Sequence, residues 1–158
     1  MTEAYVGLGT NLGARADNLR RAIAALAAVP GVQVVRTSLV YETQPVGGVP
    51  QDDYLNQVVA IETTLPPRAL LARLHLIEAQ LHRQRIVRWG PRTVDLDLLA
   101  YGQVHQRTPE LTLPHPELAN RRFVLVPLLE VARGTLTPVV TRMLAQTPDR
   151  NWVRPYFK

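Results

Sequence analysis

Two aspartates stand one residue apart near the end of the segment RWGPRTVDLDLL, which begins at Arg88. Successive side chains of a β-strand point to opposite faces, so Asp95 and Asp97 would share one face, about 7 Å apart. The apolar residues of this strand would then face the core: Val94, Leu96 and Leu98. Two carboxylates on one face repel each other, and a hard divalent cation such as Mg²⁺ relieves the repulsion. The pattern predicts a metal site for phosphoryl chemistry, with the exposed face of an edge strand as the alternative.

Arginine supplies nearly all the positive charge of the chain, whose formal net charge is +5. The sole lysine is the last residue, Lys158, which argues against a Walker A loop, a protein-kinase site and a Schiff-base enzyme. Guanidinium groups bind phosphate in a planar, bidentate manner. Four of them lie within the residues that precede the aspartates, namely Arg83, Arg85, Arg88 and Arg92. A polyphosphate bound between Mg²⁺ and these arginines would use both sets of charges.

Polar and aromatic residues elsewhere suit a flat small molecule. Tyr54 and Asn56 alternate onto one face of a strand, and an asparagine amide can pair with the edge of a heterocycle. Phe123 follows two arginines, and Trp89 lies in a Trp-Gly-Pro turn. An exposed strand asparagine and a core phenylalanine are the alternative interpretations. His115, between two prolines, is either a structural or a ligand-binding histidine.

Length and composition exclude several classes of protein. The chain has 158 residues, 46% apolar residues and no cysteine, which predicts one domain (1–158) without disulfides or thiolate metal sites. No apolar run is long enough to span a membrane and no secretory signal is visible, so we expect a cytoplasmic protein with no membrane partner. The segment GLGTNLG has Leu12 where a dinucleotide-binding fingerprint needs glycine, so that assignment is rejected.

The elements that must position these residues follow from hydrophobic periodicity. The predicted strands are 4–8, 32–42, 54–64 and 93–101, and a turn follows the first strand at GTNLG. The predicted helices are 15–29, one that begins at Leu65-Pro66-Pro67, and two near 122–132 and 139–146. This order is the βαββαβ unit of a ferredoxin-like α+β fold with a C-terminal helical extension. We expect a mostly antiparallel sheet with both early helices on one face. The other face would be free for ligands or for the C-terminal segments.

Four segments resemble the 6-hydroxymethyl-7,8-dihydropterin pyrophosphokinases of folate biosynthesis. They are RWGPRTVDLDLL, GLGTNLG, YETQPVGGVPQDDYLNQVV and LTLPHPELANRRFVLVPLLEVA, which lie between residues 7 and 132. The resemblance extends over nearly the whole chain. The resemblance implies the ferredoxin-like fold and transfer of the pyrophosphoryl group of ATP to the hydroxymethyl oxygen of the pterin, which releases AMP. It also implies two Mg²⁺ ions and ATP as co-substrate.

The resemblance further implies roles for individual residues. Asp95 and Asp97 would hold the metal ions, Arg83 and Arg92 would bind the transferring phosphates, and Asp97 is the candidate that activates the hydroxyl. The remaining ATP-site residues would be Arg85, Trp89, Thr112, His115 and Arg121. The pterin would contact Thr43, Pro45, Val46, Tyr54 and Asn56, with its ring between Trp89 and Phe123.

Two other functions are compatible with parts of the pattern. A nucleic-acid-binding α+β module would use the positive charge, but the chain has only 6% aromatic residues and no aromatic run of the RNA-binding type. A magnesium-dependent nucleotidyl or glycosyl transferase would share the paired aspartates. We expect small-molecule substrates, no nucleic-acid partner and a monomer.

Overall fold

Within the residues that the computed structural model describes, 1–44, 53–82 and 93–157, six strands form the central sheet. The elements in chain order are β1 (Thr2–Thr10), α1 (Arg15–Ala27), β2 (Val32–Thr37), β3 (Tyr41–Thr43), β4 (Tyr54–Thr63), α2 (Pro67–His82), β5 (Asp95–Tyr101), β6 (Gln106–Arg107), β7 (Thr112–Leu113), a 3₁₀ turn (Leu118–Asn120), α3 (Arg122–Val131), α4 (Leu136–Gln146) and β8 (Val153–Pro155).

The sheet order is β5-β1-β4-β3-β8, with β2 also paired to β4, and each of these pairings is antiparallel. Apart from the short strand β3, the elements from β1 to β5 follow the order β1-α1-β2-β4-α2-β5 of a βαββαβ unit. The predicted ferredoxin-like α+β fold is therefore confirmed. The strands β6 and β7 form a separate small hairpin beside the main sheet.

The sheet separates two apolar cores because side chains alternate along each strand. Along β1, Ala4, Val6 and Leu8 face the first core, where the fully buried leucines of α1 and α2 pack: Leu19, Leu26, Leu70 and Leu74. Tyr5 of β1 faces the second core, which contains Val58 of β4 and the α3 and α4 residues Leu125, Leu128 and Val140. Both early helices therefore lie on one face and the C-terminal helices on the other, as predicted.

The prediction of one strand over 32–42 is wrong, since the chain leaves the sheet between β2 and β3. Ser38 makes this break: its N–H donates to the carbonyl of Val58 at 2.9 Å, and its hydroxyl accepts the Val58 N–H at 3.0 Å. The side-chain amide of Gln57 donates to the Ser38 carbonyl at 2.9 Å. These bonds replace regular pairing, so β2 and β3 contact different parts of β4.

Several predicted boundaries also move. The turn predicted at GTNLG begins later, because Gly9 and Thr10 continue β1 and pair with Asn56 and Leu55. Helix α1 ends at Ala27 rather than at residue 29, and α4 begins at Leu136 rather than near residue 139. The short strands β6, β7 and β8 were not predicted. In the part of the chain described, no helix is both long and apolar enough to cross a membrane.

Candidate active site

The two aspartates of β5 lie on the face of the sheet that carries the C-terminal helices. Asp95 and Asp97 are half-buried, whereas Leu96 between them is 2% exposed and packs in the first core. Their antiparallel partners on β1 are Gly9 and Gly7. Glycine has no side chain, so the side chains of Leu99 and Asn56 can lie over Gly7 and Gly9 beside the carboxylates. The structure thus places the two carboxylates on one face, as the alternation predicted.

A cleft of about 590 Å³ opens beside this carboxylate pair. Its floor is formed by β1, β4 and β5, and its walls include the start of α3 and residues 148–151. This volume suits a small organic ligand. The cleft brings together seven of the predicted site residues, Thr43, Tyr54, Asn56, Asp95, Asp97, Arg121 and Phe123.

The amide of Asn56 is nearly buried and has a defined orientation. Its Nδ2 donates to the Thr43 hydroxyl at 2.6 Å, and its side chain is 6% exposed. A Cβ atom at Gly9 would lie 3.0 Å from Asn56 Oδ1, so a side chain at that position would crowd the amide. The amide still has one N–H and acceptor capacity for a ligand, because an asparagine carries two donors and two lone pairs.

Aromatic and cationic groups flank the amide. The Arg121 guanidinium carbon lies 5.9 Å from the centroid of the Phe123 ring, which favours a cation–π contact. Burial, and next the negative charge of Asp95, raise the pKa of Tyr54, so its hydroxyl stays protonated. The larger cleft therefore combines ring surfaces, an oriented amide and carboxylates.

A second cleft of about 260 Å³ lies on the other side of Asp97. It contains Thr112 and His115, both of which the family resemblance assigns to the ATP site. Arg121, assigned to that site as well, lies in the larger cleft instead. Asp97 lines both clefts, so this residue lies between them.

His115 is held in place by backbone contacts on two sides. Its N–H donates to the Leu99 carbonyl at 2.9 Å, and its Nδ1 accepts the N–H of Glu117 at 3.1 Å. Burial lowers the pKa of His115. The negative charge of Asp97 opposes this effect, and the positive charge of Arg121 adds to it. A neutral ring whose Nδ1 is an acceptor carries its proton on Nε2, which makes Nε2 a donor.

Glu78 of α2 is a third carboxylate near the pair, and the sequence analysis missed it. Its Oε2 accepts the backbone N–H of Leu96 at 2.9 Å. Burial raises the pKa of Glu78, and the charges of Asp95 and Asp97 add to this effect. The sequence did offer a signal for Glu78, because it lies four residues after Leu74 and so on the apolar side of the helix, where a carboxylate is unusual.

Other lining residues also escaped the sequence analysis. The sequence predicted Gly7 in a strand and Gly9 in a turn, and neither was predicted as a site residue. The wall residues of the larger cleft had no local signal: Glu117, Asn120, Pro148, Asp149 and Asn151. The predicted residues that lie outside the described residues are Pro45, Val46, Arg83, Arg85, Arg88, Trp89 and Arg92. Across residues 1–44, 53–82 and 93–157, no group of three or more His, Asp or Glu side chains could hold a metal.

A carboxylate pair in one cleft, with Asp97 also lining a second cleft, is compatible with a transferase that binds two small molecules. Comparison with known proteins supports this class. Residues 5–133 match the family model of 7,8-dihydro-6-hydroxymethylpterin-pyrophosphokinase (HPPK). Relatives named 2-amino-4-hydroxy-6-hydroxymethyldihydropteridine pyrophosphokinase include a Haemophilus influenzae protein, 39% identical over 157 residues that cover 98% of each chain. A second is from Methylorubrum extorquens, 49% identical over 132 residues that cover 84% of each chain.

Solved structures show the same fold. The crystal structure of an HPPK-DHPS in complex with substrates has a TM-score of 0.69 at 12% identity, over 91% of this chain and 43% of that one. The Plasmodium falciparum HPPK-DHPS with SDX-DHP gives a TM-score of 0.66 over 92% of this chain. This chain thus spans less than half the length of these two matched structures.

The chain belongs to the HPPK family. The resemblance noted in the sequence is confirmed, and the chain is an enzyme, a pyrophosphokinase. Family membership supports pyrophosphoryl transfer from ATP to hydroxymethyldihydropterin in folate synthesis.

Proposed function

We propose that the chain catalyses Mg²⁺-dependent transfer of the β,γ-pyrophosphoryl group of ATP to the hydroxymethyl oxygen of 6-hydroxymethyl-7,8-dihydropterin, with release of AMP. The observation that carries this proposal is the place of Asp97, which lines both clefts at once. The larger cleft would bind the pterin and the smaller one would bind part of ATP. Both substrates would then meet at the carboxylate pair.

The donor set fits a hard divalent cation. Asp95 and Asp97 supply oxygen ligands, and both line the larger cleft, which is large enough to admit phosphate oxygens and water beside them. Two carboxylates alone do not complete a coordination sphere, so the triphosphate would supply further ligands. Two Mg²⁺ ions held here would neutralise charge that develops on the transferring phosphates.

The reaction itself requires alignment more than covalent catalysis. The pterin hydroxymethyl oxygen attacks the β-phosphorus of ATP, the bond from that phosphorus to the bridging oxygen breaks, and the bridging oxygen leaves on AMP. The hydroxyl proton goes to a carboxylate oxygen of Asp97. Arg83 and Arg92 are proposed to bind the transferring phosphates.

The two substrates are recognised by different groups. In the larger cleft, the Asn56 amide pairs with the edge of the pterin, Tyr54 and Thr43 line its pocket, and Phe123 covers one ring face. Trp89, Pro45 and Val46 are proposed to complete this pocket. The proposed ATP contacts are Thr112, His115, Arg121, Arg85 and Trp89, with neutral His115 donating from Nε2 to a phosphate oxygen.

Product analysis tests the proposal. The purified chain, ATP, Mg²⁺ and the hydroxymethyl dihydropterin are incubated and followed by phosphorus NMR and chromatography. We expect one AMP and one pterin diphosphate per ATP consumed, and no turnover when Mg²⁺ is chelated. Formation of ADP would indicate ordinary kinase action, and formation of pyrophosphate would indicate nucleotidyl transfer; either product contradicts the proposal.

A further inference from the structure

The turn that follows α4 forms one wall of the larger cleft. Pro148, Asp149 and Asn151 line it together with Phe123 from α3. These three residues come about 25 residues after Phe123 in the chain and lie beyond the 5–133 range of the family model. The wall is therefore built by a long-range contact between the turn and the start of α3.

Asp149 makes that contact. Its Oδ2 accepts the backbone N–H of Arg122 at 2.9 Å, and its Oδ1 accepts the N–H of Asn151 at 2.9 Å. The Arg122 guanidinium also donates to the Asn151 carbonyl at 3.0 Å. The turn and the helix thus hold each other through both side chains.

The hydrogen bond from Arg122 satisfies a helix end that lacks a local cap. Arg122 is the first residue of α3, and the preceding Arg121 offers no side-chain capping bond. The first N–H groups of a helix have no partner within the helix, and a carboxylate there also meets the positive end of the helix dipole. Asp149 takes the role of the cap from a distant part of the sequence.

The cap fixes the two residues on either side of Arg122 that reach the cleft. Arg121 and Phe123 both line it, and their side chains contact each other. On the opposite wall, Val153 of β8 pairs with Thr43, whose hydroxyl holds the Asn56 amide. The segment after α4 therefore supports both walls between which a flat ligand would lie.

We propose that Asp149 is a positioning residue for the pterin, one that sets the distance between the Phe123 ring and the Asn56 amide. This proposal rests on the assignment of the larger cleft to the pterin. The smaller cleft contains no residue of the turn or of α3, and Arg121 is the one proposed nucleotide contact that adjoins the capped end of α3, so we expect nucleotide binding to depend on Asp149 less than pterin binding does.

The experiment measures binding of 6-hydroxymethylpterin and of a non-hydrolysable ATP analogue with Mg²⁺, each by calorimetry, to the full chain and three variants. Asp149→Ala removes both acceptors, Asp149→Asn keeps one acceptor oxygen, and Asp17→Ala is the matched control at an exposed acid on α1. We expect Asp149→Ala to weaken pterin binding about tenfold and Asp149→Asn to weaken it less, which corresponds to loss of a helix cap. In Asp149→Ala, nucleotide affinity should fall by about threefold at most, because Arg121 is one of several proposed nucleotide contacts. Both affinities of Asp17→Ala should stay within about twofold of the wild-type values.

Unchanged pterin binding by Asp149→Ala would overturn the proposal. An equal loss of pterin and nucleotide affinity with a lower thermal midpoint would overturn it too, because that pattern marks a general structural role. If the wild-type chain binds nucleotide but no pterin, the assignment of the cleft itself fails. Selective loss for Asp149→Ala, on a chain that binds both ligands, supports the proposal.

Discussion

The orientation of a single amide carries much of the proposed pterin specificity. Asn56 is nearly buried, and its Nδ2 donates to Thr43, so the amide plane is fixed before a ligand arrives. A group that is oriented in advance loses less entropy on binding. The face that Asn56 occupies follows from strand alternation, whereas its partner Thr43 comes from a different strand.

Removal of this amide should weaken pterin binding selectively. We expect Asn56→Ala to raise the dissociation constant of the pterin at least about tenfold, because a buried polar ligand edge is left unpaired. Thr43→Val should have a smaller effect in the same direction, since it frees the amide without deleting it. Calorimetry with pterin and with nucleotide checks this, with Thr37→Val on β2 as control. A Thr43→Val effect as large as that of Asn56→Ala would show that orientation is not the role of Thr43.

The carboxylate pair should be essential for turnover but not for folding. We expect Asp95→Asn and Asp97→Asn each to lower the rate of AMP formation about 100-fold or more, as loss of charge stabilisation in an active site does. Thermal unfolding should stay close to that of wild type, because both side chains are half-buried beside glycines. Asp17→Asn, at an exposed acid, is the control. Near-normal turnover by either variant would contradict the metal assignment.

At the scale of elements, the break between β2 and β3 determines where Thr43 lies in the wall of the larger cleft. Ser38 replaces regular pairing with bonds to Val58 and Gln57, which lets β3 lie against residues 54–56 of β4. Thr43 reaches Asn56 only because of this arrangement. The edge of the cleft thus depends on one serine that contributes no group to it.

Loss of the Ser38 hydroxyl should destabilise the sheet. In Ser38→Ala the N–H of Val58 loses the hydroxyl to which it donates. We expect this loss to lower the free energy of unfolding by about 1–3 kcal/mol. Urea unfolding measures the change, and Thr37→Ala at an exposed neighbouring position is the control. Equal unfolding midpoints for the two variants would refute this role.

Local patterns predicted the regular elements but not their contacts. The alternation of apolar and polar residues predicted the faces of β4 and β5 on which Asn56, Asp95 and Asp97 lie, because each strand buries one face in the core. The Ser38 break, the pairing of β8 with β3 and the Asp149 cap involve partners 19 to 114 residues apart. Hydrophobic periodicity depends on residues that are close in the sequence, so it could not predict these long-range pairings.

At the scale of the whole molecule, two tyrosines tie the sheet to the C-terminal layer. The Tyr5 hydroxyl donates to Glu3 and accepts the N–H of Arg133, and the Tyr41 hydroxyl donates to Glu130 of α3 at 2.6 Å. Burial, followed by the bond to a carboxylate, raises the pKa of Tyr5 and of Tyr41 to about 12. Ionisation of either hydroxyl would place two negative charges side by side.

Alkaline pH should therefore loosen this junction. Both pKa values in the folded state lie above the ordinary value of 10, so their contribution to stability is complete below pH 10 and is lost as pH rises through 12. We expect the free energy of unfolding to fall between pH 10 and 12, and to fall less in a Tyr5→Phe/Tyr41→Phe variant. Urea unfolding at several pH values measures both slopes; equal slopes would contradict this role.

The proposed reaction depends most on where magnesium binds. A crystal structure of the chain with Mg²⁺, a non-hydrolysable ATP analogue and 6-hydroxymethylpterin tests this directly. We expect two Mg²⁺ ions on the carboxylates of Asp95 and Asp97, with the triphosphate between them and the pterin on Asn56. Metal ions bound away from both carboxylates would contradict the proposed reaction.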